Sequence, residues 1–214
     1  MSKRGDDFHP PPGVSTTSMT LVERVKLHDA AAWRRFLHLY GPLVFQWCRR
    51  TNLNAEDAAD ISQEVFQTVM LKIGDFRRNR PGDSLRGWLY TITRNKIGDL
   101  IRKQDRQPPA AGGTDAYRFL SELPEQLPDD AAENEMSTEL VHRALELVRP
   151  EFEPRTWQAF WRTAVQGQAP KEVAAELGVT PDAIRVAKSR VLRRLREELP
   201  DFTEGDRGLA PPPG

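Results

Sequence analysis

The sequence predicts an all-α protein made of two small helical domains joined by an acidic, flexible linker. Three observations carry this. Apolar residues recur at three- and four-residue spacing through both halves, and no stretch keeps the period of two that a half-buried strand needs. Glycine and proline fall between helical runs, as breaks. Between the halves, residues 107–135 combine Pro108-Pro109, Gly112-Gly113, Pro124 and Pro128 with a strong excess of acids over the single Arg118. The expected organisation is a disordered tail over 1–18, a first domain over 19–106, the linker over 107–135, a second domain over 136–200 and a disordered tail over 201–214.

In the first domain, Thr20 to Leu27 forms a short helix and Asp29 is placed to cap the next. From Ala30 to Arg50 the apolar positions Trp33, Phe36, Leu37, Tyr40, Val44, Trp47 and Cys48 follow helical spacing. Gly41-Pro42 is expected to kink or break that helix, since proline lacks the donor and clashes with the preceding turn. Asn54 caps a helix from Ala55 to Ile73, with Glu56 and Asp57 in the first turn, where the helix dipole favours acids. A loop from Gly74 to Asp83 leads into a third helix, Ser84 to about Gln104, whose core positions are Leu85, Trp88, Leu89, Ile92, Ile97 and Ile101. The second domain holds four helices, 136–149, 154–166, 170–177 and 181–198, with Pro154, Pro170 and Pro181 at first-turn positions.

Composition narrows the function classes. The 214 residues carry 31 basic and 31 acidic side chains, so the net charge is zero and only the local distribution of charge can mark a nucleic-acid face. Cys48, alone and in an apolar run, reads as a buried thiol. His9, His28, His38 and His142 have no metal-ligand spacing, and no Ser/His/Asp set or phosphate-cradling glycine loop is present. No catalytic residues, metal or cofactor are expected, and no membrane insertion. A reduced, cytoplasmic setting is expected.

The most specific pattern is Pro170-Lys-Glu-Val-Ala-Ala-Glu-Leu-Gly-Val-Thr-Pro-Asp-Ala-Ile184. Val173, Ala174 and Leu177 give one buried face, and small Ala174 lets two helices approach. Gly178 supplies the positive φ of a tight turn, Val179 fills the corner, and Thr180 caps the following helix. Ile184, Ala187, Val191 and Leu195 then form an apolar stripe. The other faces carry Arg185, Lys188, Arg190, Arg193, Arg194 and Arg196. This is the arrangement of a DNA-binding helix-turn-helix, with cations free to meet phosphates and base edges.

Two helices of the first domain carry contrasting chemistry. Ala55 to Leu71 bears Glu56, Asp57, Asp60 and Glu64 with no cation before Lys72. The like-charged pair Asp60 and Glu64 is unfavourable in an isolated helix. Either a cationic protein docks on this face or it is simply solvated. The third helix and its preceding loop interleave Arg77, Arg78, Arg80, Arg86, Arg94, Lys96, Arg102 and Lys103 with Phe76, Trp88 and Tyr90. That mixture suits phosphate contacts plus base stacking on melted DNA, unless the aromatics are core.

Asp57-Ala-Ala-Asp-Ile-Ser-Gln-Glu-Val-Phe66, then Ser84-Leu-Arg-Gly-Trp-Leu-Tyr-Thr-Ile-Thr-Arg-Asn95, then the helix-turn-helix resemble, in this order, a bacterial RNA polymerase sigma factor of the extracytoplasmic-function (ECF) type. The resemblance spans about Thr20 to Leu199. It implies that the first domain is a region 2-like three- or four-helix unit, binding the polymerase clamp helices through Asp57, Asp60, Gln63, Glu64 and Phe66. The −10 element would meet Phe76, Arg77, Arg78, Asn79, Arg80, Trp88, Arg94, Asn95 and Arg102, with a flipped base held in the loop. The second, region 4-like domain would read the −35 element with Thr180, Arg185, Lys188, Ser189, Arg190 and Arg193. The Arg185–Arg190 stretch is about a turn longer than the common family pattern. Core RNA polymerase and promoter DNA are the implied partners, with room for an anti-sigma factor. The acidic linker is expected to mask the cationic helices in the free protein. A free-standing regulator would share the helix-turn-helix but leave the Asp60/Glu64 face and the arginine-rich loop unused.

Overall fold

The structure is a computed structural model that describes residues 19–51, 53–80, 82–105, 124–203 and 209. Every regular element among them is helical. The linker segment 107–123, the tail 1–18 and residues 204–208 and 210–214 lie outside the described residues.

Helix α1 (Leu21–Lys26) opens with a reciprocal cap, in which Thr20 Oγ accepts from the Glu23 amide and Glu23 Oε2 accepts from the Thr20 amide. The chain then turns through His28 at φ 57°. Asp29 holds that turn: Oδ1 accepts from the Ala31 and Ala32 amides, and Oδ2 takes the Arg24 guanidinium at 2.8 Å. The Arg24 hydrogen bond comes first among the reasons its carboxyl stays below the usual carboxylate range.

Helix α2 (Ala30–Arg50) runs through Gly41-Pro42 without a break. An interior proline costs about 3 kcal/mol. Leu39, Tyr40, Leu43 and Val44 on either side are all buried, at about 1.5–3 kcal/mol for each aliphatic side chain, and packing overrides the local penalty. Helix α3 (Ala55–Lys72) is capped by Asn54 Oδ1 accepting from the Asp57 amide. It buries Ala58, Ile61, Val65 and Val69. Helix α4 (Leu85–Asp105) begins where Ser84 Oγ accepts from the Gly87 amide at 3.0 Å. A Cβ at Gly87 would meet that same oxygen at 3.0 Å, so glycine leaves the cap its room.

In the second block α5 (Ala131–Val148) starts five residues before the expected boundary. Asp130 Oδ1 caps it from the Glu133 amide. Helix α6 (Pro154–Phe160) continues into a wide turn at Trp161–Val165, followed by α7 (Pro170–Leu177) and α8 (Pro181–Glu198). The α7–α8 corner follows the sequence reading: Gly178 adopts φ 63°, Thr180 Oγ accepts from the Ala183 amide, and Ala159, Val173, Ala174, Ile184 and Ala187 form a small core of their own.

The two blocks are packed on each other. One core joins Phe36, Tyr40 and Trp47 of α2 with Met136, Leu140 and Leu145 of α5 and Val191, Leu192 and Leu195 of α8. Residues 129–135, expected within the flexible linker, instead anchor the join. Glu133, 3% exposed, accepts from Trp47 Nε1 at 2.8 Å and is paired with Arg86, with Arg50 at 3.6 Å. The start of the expected C-terminal tail is also docked: Phe202 is buried, and Asp201 Oδ2 accepts from the Arg86 amide at 3.0 Å. A carboxylate at the N-terminus of α4 and an apolar ring in the core are what order it.

Candidate nucleic-acid and polymerase interface

Helix α3 turns its buried stripe toward α2 and α4, and this sorts the five polymerase-facing candidates. Asp60, Gln63 and Glu64 lie on the exposed side. Asp57 is half-buried and accepts from Asn54 Nδ2 at 2.9 Å. Phe66 is half-buried as well, edge-on to Trp33 and Phe36 at ring separations of 6.4 and 6.3 Å. Its contacts are those of a core residue. The exposed stripe continues instead through Gln67 to Met70 and Leu71, the last 83% exposed. Sequence reasoning missed these two, although their spacing from Gln63 and Gln67 is helical. No cation precedes Lys72 on α3 itself, but Lys96 of α4 reaches Glu64 Oε2 at 3.1 Å.

The loop between α3 and α4 builds a cavity of about 610 Å³. Phe76, Arg77, Asn79 and Trp88 line it, so four of the nine residues expected at the −10 element are brought together. Their roles differ. Phe76 is buried, its ring 5.1 Å from Trp88, and it forms the floor rather than a free face. Trp88 is half-buried between core and cavity. Asp83 Oδ2 accepts from the Asn79 and Arg80 amides at 3.0 and 2.8 Å, which folds the loop and leaves both side chains exposed. Lys26 donates to the Phe76 carbonyl at 2.6 Å. Burial, then the nearby Arg77 charge, holds that ammonium below its usual range. Glu125, Gln126 and Leu127, from the end of the linker, line the same cavity.

Arg78 is not among the residues lining the cavity and donates to the Pro200 carbonyl at 2.7 Å. Farther along α4, Asn95 and Arg102 are exposed, with Arg102 paired to Asp99 at 2.6 Å. Arg94 is half-buried beside a second, smaller cavity lined by Trp47 and Tyr90. Tyr90 itself is core, edge-on to Trp47 at 5.4 Å.

On α8, Thr180, Arg185, Ser189 and Arg193 are exposed and Lys188 and Arg190 half-exposed, so the proposed −35 readers share an accessible face. Arg185 pairs with Asp182 at the surface. Arg194 departs from the expectation. It turns inward to Glu151 at 2.6 Å and to Glu198 at 2.5 Å, and Arg35 of α2 meets the same Glu151 at 2.9 Å. Burial opposes the charge of Glu151, but hydrogen bonds from Arg194 and Arg35 outweigh it and keep its carboxyl below the usual range. A further cavity of about 950 Å³ is framed by Phe152, Trp157 and Trp161, with the two indoles stacked at 6.2 Å. The density of aromatics between 152 and 161 was the available signal for it.

No cluster of His, Cys, Asp or Glu among the described residues could hold a metal ion. No helix among them is long and apolar enough to cross a membrane. Burial pushes the Cys48 thiol up to about 11, which disfavours the reactive thiolate.

Comparison with known proteins points to one family. Residues 36–107, covering most of α2, all of α3, the cavity loop and α4, match the Sigma-70 region 2 family model. The ECF RNA polymerase sigma factor SigD of Mycobacterium tuberculosis is 33% identical over 182 residues, 80% of this chain and 78% of SigD. ECF RNA polymerase sigma factor RpoE of Cereibacter sphaeroides is 28% identical over 86% of this chain and 96% of its own length, and BldN of Streptomyces coelicolor 26% over 87% and 67%. The solved structure of CnrH in complex with the cytosolic domain of CnrY overlaps 82% of this chain and 92% of that chain, at 22% identity and a TM-score of 0.34. With a relative above 30% identity aligned along most of both chains, and region 2 laid over the helices that carry the acidic stripe and the aromatic cavity, this chain belongs to the ECF RNA polymerase sigma factors.

Proposed function

We propose that this protein brings core RNA polymerase to promoters by three surfaces: the α3 stripe for polymerase, the α3–α4 cavity with α4 for the −10 element, and α8 for the −35 element. The cavity carries the reading furthest. It joins Trp88, set over the buried Phe76 floor, to Arg77 and Asn79 of the loop that leads into α4, the helix bearing exposed Asn95 and Arg102. A base turned out of a melted duplex needs a stacking face, and its phosphates need cations. Binding rather than bond chemistry does the work.

Three refinements follow from the geometry. The polymerase set becomes Asp60, Gln63 and Glu64, extended by Gln67, Met70 and Leu71. Phe66 and Phe76 support these surfaces from within. Masking of the −10 face in the free protein falls to residues 125–127 at the cavity and to Pro200 and Asp201 at Arg78 and Arg86. Parting the two blocks would clear both, and would let one domain reach each promoter element.

The test is run-off transcription by purified core polymerase on a promoter library, with and without the protein. New sequence-specific starts sharing two spaced elements are expected. Specific duplex binding by the protein alone, with no new starts, would move the assignment to a free-standing regulator.

A further inference from the structure

The recognition helix carries an apolar side chain where packing gives it nothing to do. Val186 is 48% exposed. Its own helix buries Ile184, Ala187, Val191, Leu192 and Leu195 on the opposite side. At 3.6 residues per turn, Asp182, Val186, Ser189 and Arg193 line up along the outermost stripe of α8. All four are exposed. A β-branched residue on an open helix surface loses side-chain freedom without the packing that usually repays it. Val186 also lies in the N-terminal half of α8, the half of a recognition helix that reaches base edges. Among base-pair edges in the major groove, the apolar group is the thymine 5-methyl.

We propose that Val186 reads a thymine 5-methyl group in the upstream promoter element, flanked by Ser189 and Arg185 as polar readers. This rests on α8 being the −35 helix. The pair differs from a phosphate-directed surface in what it predicts: discrimination by one methyl group, independent of salt.

The experiment uses the full chain with core polymerase on a promoter recovered from the library. Each thymine of the upstream element is replaced singly by deoxyuridine, which removes the methyl and keeps the pairing. Wild type should lose about fourfold in promoter binding at one position, the worth of one buried methyl group. Val186→Ala should bind thymine and uracil equally there, while Val186→Thr, which keeps a γ-methyl, should restore part of the ratio. If Val186→Ala retains the full thymine preference at every position, or wild type shows no such preference, the proposal is overturned while the −35 assignment stands. If scrambling the upstream element changes nothing, the −35 assignment falls and the proposal with it.

Discussion

The Asp201 carboxylate accepts the backbone amide of Arg86 at 3.0 Å, so the segment leaving the last helix closes the first turn of α4. One residue earlier the Pro200 carbonyl holds Arg78 at 2.7 Å. The segment leaving α8 in one block is thereby fastened to the α3–α4 loop and the start of α4 in the other.

Breaking that fastening should loosen the blocks without unfolding either. Asp201→Ala removes a helix-terminal acceptor worth about 1 kcal/mol. Amide hydrogen exchange at Arg86 should quicken, and the free protein's affinity for single-stranded −10 DNA should rise a fewfold. Unchanged DNA affinity with faster exchange would show that this contact does not mask the −10 face.

Substitutions along α3 should separate docking from folding. Asp60→Lys with Gln63→Ala should weaken core polymerase binding by at least about tenfold, about 1.4 kcal/mol, with little change in Tm. Phe66→Ala should lower stability by about 2 kcal/mol or more, because its ring packs on Trp33 and Phe36. Thermal melts beside binding isotherms would check both. A Phe66→Ala protein of wild-type stability that fails to bind polymerase would return this residue to the interface.

Glu133 should be costly to remove. It gathers Trp47, Arg86 and Arg50 at a site almost closed to water. Glu133→Ala leaves buried donors and a guanidinium without their acceptor, a loss of about 3 kcal/mol. Urea denaturation should place Glu133→Gln between that variant and wild type.

Acid should weaken the join between the blocks. The carboxyls of Glu151 and Asp130 titrate below their ordinary values in the folded protein, held down by Arg194 and Arg35 and by the Glu133 amide and Arg50 respectively. Their contribution is therefore complete above the unfolded-state values of 4.5 and 3.8 and is lost as pH falls through the lower folded ones. Glu151→Gln should flatten the fall of Tm below about pH 4.5. A wild-type slope in that variant would assign the acid sensitivity elsewhere.

The helix-turn-helix was legible because its signals are local: Gly178 for φ, Thr180 for the cap, Ala174 and Ile184 for the corner. The acidic stripe and the arginine-rich loop were legible for the same reason. What periodicity cannot supply is which face of one block meets the other. Arg194 has the same spacing as its exposed neighbours, and only Glu151 and Arg35 turn it inward. Phe66 and Phe76 lie within the motif stretches, yet it is long-range packing that sets their rings against Trp33 and Phe36 and against Trp88 respectively. The linker's acids likewise look like solvated charge until Trp47, Arg50 and Arg86 are brought to Glu133.

The core shared by α2, α5 and α8 has a consequence for how the molecule melts. Side chains of both blocks lose water together where the blocks meet, so parting them exposes apolar surface on each. Calorimetry should record one cooperative transition, with matching calorimetric and van't Hoff enthalpies. Proteolytic cleavage between residues 106 and 123 should leave two fragments that still travel as a single particle.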